Sequence, residues 1–221
     1  DPTVPPMIRT RFRSIVDAIG VGGITQVAFA DGFDQKQWIE TTFIGTQGPR
    51  VGLMHLMDPG PVDPAVFKLI PKDAFDASVV HLDMHDVYGE VRTAVGKIDP
   101  DTQKTFDQQV AMVNQAAGFN IDTDLLQTLG ETIVTYRAPI SDAAIATAAV
   151  LIKLRDPKTF SATLTKIEAK ASAALKAMQP SIPVAMSLES RDVPGVGPVM
   201  IFHTAQASVA WTVHGDYLCV S

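Results

Sequence analysis

Residues Val79 to Glu90 read VVHLDMHDVYGE, and two periodicities meet inside them. Up to His85 apolar and polar residues alternate, the mark of a half-buried strand with Val80, Leu82 and Met84 on one face and His81, Asp83 and His85 on the other. Beyond it Val87, Val91, Ala94 and Ile98 recur at helical spacing. Asp86 is expected to cap that helix, because a carboxylate accepts the amide protons that a first turn leaves without partners. A strand running into an acid-capped helix is a unit of α+β architecture.

A similar unit follows 70 residues later, where AAVLIKLR (Ala148 to Arg155) runs into Asp156. In that alignment Val80, Leu82 and Met84 match Val150, Ile152 and Leu154, while His81, Asp83 and His85 fall on Leu151, Lys153 and Arg155. A duplicated strand-helix-strand unit would give this pattern, and so would two unrelated units of a common type.

The remaining elements declare themselves by their ends. Asp followed by Pro, at Asp63-Pro64, Asp99-Pro100 and Asp156-Pro157, combines an N-cap with a residue that misses no hydrogen bond in a first turn. Helices are expected after Asp99, with Phe106, Val110, Val113 and Ala117 in line and Gly118 as the end, and after Asp156, where Phe160, Leu164, Ile167, Ala171, Leu175 and Met178 share a face. Another spans about residues 7–19, with Ile8, Phe12, Ile15 and Ile19 in line and Gly20 as its stop. Ile24 to Gly45 reads as a hairpin turning at Asp31-Gly32, and RVGLMHLM (Arg50 to Met57) as a third strand. Four strands after the last helix form a meander, with VPGVGP (Val193 to Pro198) as its first turn. The expected fold class is α+β, antiparallel sheet with helices on one face. Its units are a partial one at 1–75, a middle one at 76–140 and a C-terminal one at 141–221, in one or two compact domains.

Charge and composition exclude some functions. With 18 basic against 24 acidic residues and a net charge of −6, the chain has no basic cluster denser than Arg9 to Arg13, so nucleic acid is not an expected partner. No run approaches the roughly 18 to 20 apolar residues of a membrane-spanning helix, and no membrane span is expected. Beginning at DPTVPP and stopping within strand-like residues, the sequence reads as a portion of something longer.

The stretch GFNIDTDLLQTLGETIVTYRAP (Gly118 to Pro139), with LIKLRDPKTFSATLTKIEAKA and ASVAWTVHGDYLCVS later on, resembles a bacterial domain family of unknown function found mainly in exported planctomycete proteins. The resemblance covers roughly the last half of the chain. It implies α+β repeats and an extracytoplasmic place, in the periplasm or cell envelope, and no catalytic activity. The matching residues have structural readings: Gly118 and Gly130 as helix ends, Leu125, Leu126 and Leu129 as packing residues, Asp122 or Thr123 as a cap.

One constellation could carry chemistry. On a strand, His81, Asp83 and His85 would point one way, and two imidazoles with a carboxylate suit zinc with a position left open for water. Same-face positions lie about 7 Å apart, however, so one ion bridges two of them more readily than three. A fourth ligand would come from His55, His203, Glu90 or another residue distant in sequence. The other reading is a polar strand face leading to a helix cap. His55 is expected on a strand with Val51 and Leu53, His203 beside Val199 and Ile201, and His214 at a hairpin turn.

No Gly-x-Ser-x-Gly elbow, Ser-x-x-Lys or phosphate-binding glycine loop is present. The Asp-x-Asp pairs at Asp99 and Asp122 lack the remainder of a calcium loop. Cys219 reads as a small hydrophobe in a strand. Trp38 is expected on the exposed side of its strand, with Ile39 and Phe43 inward, and is a candidate contact for a partner.

The functional expectation is a non-catalytic exported module, binding or structural, within a larger envelope-associated assembly and with a protein partner or self-association. A metal-dependent hydrolase using His81, Asp83 and His85, and a carrier of a small apolar ligand held between helix and sheet, are the alternatives.

Overall fold

The computed structural model describes residues 6–34, 37–57, 60–139, 146–178 and 186–221. Along the chain lie α1 (Pro6–Ile19), β1 (Ile24–Asp34), β2 (Gln37–Thr46), β3 (Asp76–His81), α2 (Met84–Ile98), α3 (Pro100–Ala117), β4 (Leu129–Pro139), β5 (Ala146–Leu154), α4 (Pro157–Met178), β6 (Ser187–Val193), β7 (Gly197–His203), β8 (Ser208–His214) and β9 (Tyr217–Val220). The class is α+β, with a seven-stranded antiparallel sheet in the order β3-β4-β5-β9-β8-β7-β6 and a separate two-stranded sheet, β1-β2. Because β3 and β4 share their sheet with β5 to β9, no boundary near residue 140 divides the expected middle and C-terminal units. The chain instead forms two discontinuous units, Asp1–Asp58 with Asp86–Asp107 and Pro59–His85 with Gln108–Ser221.

In the larger unit, strand alternation sorts the sheet into two faces. Paired residues Val80, Ile133, Ile152, Leu218 and Val213 form one cross-strand row. Toward that face α4 presents Phe160 and Leu164, so Leu129, Leu154 and Phe160 become a buried core with Ile152, Val213 and Leu218 packed against it. Burial of the Phe160 ring stabilises by roughly 1.5–3 kcal/mol. Asp156 fixes where α4 starts, accepting from the Thr159 amide at 3.0 Å and the Thr159 hydroxyl at 2.6 Å. Those bonds to its charged form hold the Asp156 carboxyl below the usual carboxylate range.

The strand in VVHLDMH is shorter than its alternation suggests. After His81 only one more backbone bond follows the ladder, from the Leu82 amide to the Glu131 carbonyl at 2.6 Å. Asp83, not Asp86, then caps α2, accepting from the His85 amide at 2.8 Å. The helix opens at Met84, which places His85 and Asp86 within its first turn. The matching joints of the two strand-helix units therefore align Asp83 with Asp156 and His81 with Leu154, a register three residues from the one the sequence suggests. Within α2, Ala94 is buried as expected, whereas Val91 and Ile98 are exposed, as are Val113 of α3 and Met178 of α4.

The smaller unit departs further from expectation. Helix α1 does stop at Gly20, whose φ is 88°, and a Cβ there would lie 1.8 Å from the Val51 carbonyl oxygen. Gly52, at φ 59°, approaches the Ala18 carbonyl as closely, with 2.2 Å left for a Cβ. That left-handed glycine breaks the expected third strand, and Gly52–Met57 is a 3-10 helix with Met54 buried beside fully buried Ala18. Asp31 and Gly32 are not a turn; they lie inside β1, paired with Glu40 and Ile39. The connection falls at 35–36, outside the described residues. Helices α2 and α3 meet at the Asp99 cap, which accepts from the Asp101 amide at 3.0 Å. Arg92 clasps Asp107 through two bonds, of 2.6 and 2.7 Å.

Two smaller corrections follow. Gly130 lies in β4 rather than at a helix end, where a Cβ would come within 3.0 Å of Lys153. The turn after Gly118 is capped by Asn120, which accepts from the amides of Asp122 and Thr123.

Candidate functional site

The three residues singled out for metal binding end up in three settings. His81 closes β3, Asp83 caps α2 and His85 belongs to the helix, so the common strand face on which the zinc reading rests does not exist. Each also has its own partner. His81 Nε2 lies 2.7 Å from Glu131 Oε2, and His85 Nδ1 lies 2.6 Å from Asp122 Oδ1. Asp83 Oδ2 accepts from Arg155 at 2.8 Å, and the same guanidinium nitrogen reaches Glu131 at 3.1 Å.

This arrangement is a hydrogen-bonded clasp that ties the β3-α2 joint to β4 and to the end of β5. The hydrogen bond that Arg155 donates to Asp83 holds its guanidinium above its already high value, so that cation is permanent. Among the described residues no three His, Cys, Asp or Glu side chains gather as a ligand set. Of the other histidines, His55 is exposed on the 3-10 helix, His203 bonds Ser208 at 2.7 Å and His214 ends β8 before Gly215.

A different feature emerges on the sheet face turned away from α4. One cross-strand row runs Val79, Val134, Leu151, Cys219 and Thr212. The next contains Tyr136 beside Ala149, and Ser221 bonded to Ala210 through both backbone groups. Small side chains on three adjacent strands, β5, β9 and β8, leave a concavity of about 360 Å3, bounded by Tyr136 and Leu151 on one side and Val196 and Val199 on the other. Cys219 forms part of its floor, and burial pushes its thiol up, away from the reactive thiolate. That volume lies in the range of small-molecule sites. On the opposite face Trp211 donates to Glu168 of α4 at 2.7 Å, an anchor for the helix. The sequence carried a faint sign of this hollow in its mid-strand Ala and Ser, but their neighbourhood arises only from the strand order.

The hairpin β1-β2 is the second feature. Its register pairs Val27 with Ile44, Phe29 with Thr42, Asp31 with Glu40 and Phe33 with Trp38, all on one face. Phe29 is 74% exposed, Phe33 75% and Trp38 57%. The Phe33 and Trp38 rings meet edge to face, 5.0 Å between centroids. Trp38 is thus exposed as expected, but Ile39 and Phe43 on the other face are exposed too. Neither face of the hairpin is an inner one. Among the described residues no further strand pairs with β1 or β2, so both outer edges keep unpaired backbone groups.

No helix among the described residues is long and apolar enough to cross a membrane. No family model, no curated protein and no solved structure matches the chain.

Proposed function

We propose that this chain is a non-catalytic binding module of a larger assembly, and that the hairpin β1-β2 is the surface that meets a protein partner. The observation that carries this reading is the exposure of Phe29, Phe33 and Trp38 together on one face of a ribbon that no further strand among the described residues flanks. An isolated two-stranded hairpin is marginal in water, and aromatic clusters of this kind are typical anchors of interfaces. Support for an extracytoplasmic, envelope-associated setting comes from the resemblance of the C-terminal half to an exported family.

A photo-crosslinking residue in place of Trp38, compared with one in place of exposed Met112 of α3, tests the reading. Discrete protein adducts in the native envelope are expected from position 38 and not from 112. Equal or absent labelling at the two positions would count against it.

The concavity at Leu151, Ala210 and Cys219 favours a second reading, a carrier of a small apolar ligand. Its pocket would lie on the face away from α4 rather than between helix and sheet. Native mass spectrometry of the purified chain is expected, on this reading, to show a co-purified apolar compound that is lost when Ala210→Trp fills the hollow.

A further inference from the structure

The hairpin face is not uniformly apolar, and its one polar step specifies a partner. Along β1 the outward sequence is Phe29, Asp31, Phe33, with successive members about 7 Å apart. Across the ribbon Asp31 faces Glu40 directly, an arrangement that costs stability because like charges oppose each other at neighbouring positions. Both acids are exposed, and among the described residues no Lys, Arg or His pairs with either. Two carboxylates sit among aromatic rings with no cation beside them among the described residues.

Building on the docking role proposed above, we infer that the free edge of β1 takes an extended partner segment with a Lys or Arg at its centre and apolar residues two positions to either side. A strand added to that edge repeats the same period, so its cation falls beside Asp31, with Glu40 one strand further, about 10 Å off and within reach of a long basic side chain, while its apolar residues cover Phe29 and Phe33. The neighbouring ring faces add cation–π attraction. Edge addition on β1 fits better than on β2, where the corresponding outward run is Trp38, Glu40, Thr42 and offers an aromatic on one side only.

A second copy of the chain is a poorer occupant. Neither β1 (ITQVAFADGFD) nor β2 (QWIETTFIGT) contains a basic residue, so pairing β1 with a strand of a second hairpin would set no cation beside Asp31. At roughly 200 Å2 per aromatic side chain, Phe29, Phe33 and Trp38 leave on the order of 400 Å2 exposed. That is about half of one partner's share of a standard interface, which suits a short segment rather than a domain face.

The test uses the whole chain and three dye-labelled peptides of alternating Thr and Val that differ only at a central valine-face position, occupied by Lys, norleucine or Glu. Fluorescence anisotropy at low salt is expected to rank them Lys, norleucine, Glu, with about tenfold between the first and last. In the near-isosteric Asp31→Asn/Glu40→Gln chain, its folding checked by circular dichroism, the gap should shrink to about twofold or less. Equal binding of all three peptides, or a gap unchanged in that variant, overturns the inference while leaving the hairpin as a docking surface. Binding of no peptide overturns it as well, and the Trp38 crosslinking result then decides separately whether the hairpin docks anything. A dimer in light scattering that the double substitution strengthens would assign the edge to a second copy and also overturn it.

Discussion

Two antiparallel sheets in one chain, each with apolar residues on both faces, have opposite fates. In the seven-stranded sheet Leu154 is 3% exposed, in a core it shares with Leu129 and with Phe160 of α4. In the hairpin Phe29 and Phe33 remain about three-quarters exposed, 74% and 75%. The strand pattern is equally strong in both. The difference comes from what else the chain supplies: α4 covers one face of the large sheet, while no further strand in the described residues flanks the ribbon. An amphipathic pattern specifies a strand, and it does not specify that the chain itself will cover it.

The largest contrast is expected from paired aromatic truncations. Phe160→Ala removes a core ring and should cost about 3–5 kcal/mol in urea unfolding. Phe29→Ala, on the hairpin, should stay within about 0.5 kcal/mol for the free chain. If Phe29→Ala proved as costly as Phe160→Ala, the hairpin face would be covered in the free chain and the contrast would fail.

Smaller, and confined to the unit that holds the hairpin, is the effect of Gly20→Ala. A methyl there meets the Val51 carbonyl in a left-handed backbone, and a loss of about 1–3 kcal/mol is expected. The seven-stranded sheet should keep its amide protection in this variant.

Acid should weaken two helix starts and the Arg92–Asp107 clasp. Asp156 and Asp124 are held below the usual range by hydrogen bonds at helix starts, and Asp107 by Arg92. Their folded pKa values are depressed, so their contribution is fully present above the unfolded value near 4 and is lost as pH falls through the folded values. A thermal midpoint that holds from neutral pH down to about 5 and drops below about 4 is expected. Asp156→Ala should flatten that drop.

The smallest effect has the most diagnostic sign. Asp31→Asn relieves a like-charge pair and should raise the stability of the free chain by roughly 0.3 kcal/mol, while weakening capture of the Lys peptide. Opposite signs for stability and binding separate an interface residue from a folding residue.

Much of the fold was legible in the sequence because its signals are local. The Asp-Pro caps, the Gly20 and Gly118 stops and the C-terminal meander all appear where spacing puts them. What escaped depends on contacts distant in sequence. The clasp of Arg155 with Asp83 and Glu131 joins residues up to 72 positions apart. It explains why His81, Asp83 and His85 diverge rather than line one face. Asp31-Gly32 has the composition of a turn but lies within a ladder that continues to Asp34 opposite Gln37. Gly52 looked like a strand residue until its approach to Ala18 made left-handed backbone necessary. The sheet concavity was least legible, since Ala149, Ala210 and Cys219 become neighbours only through the order β5-β9-β8.

Amide hydrogen exchange of the free chain, repeated with the central-Lys peptide, tests most directly whether the hairpin is a surface awaiting a partner. The expected result is fast exchange across β1 and β2, with opening free energies near zero to about 1 kcal/mol, against strong protection in β4 and β5. Addition of the peptide should protect β1 selectively. Hairpin amides as well protected as those of β4 and β5 in the free chain, and unchanged by the peptide, would contradict the account.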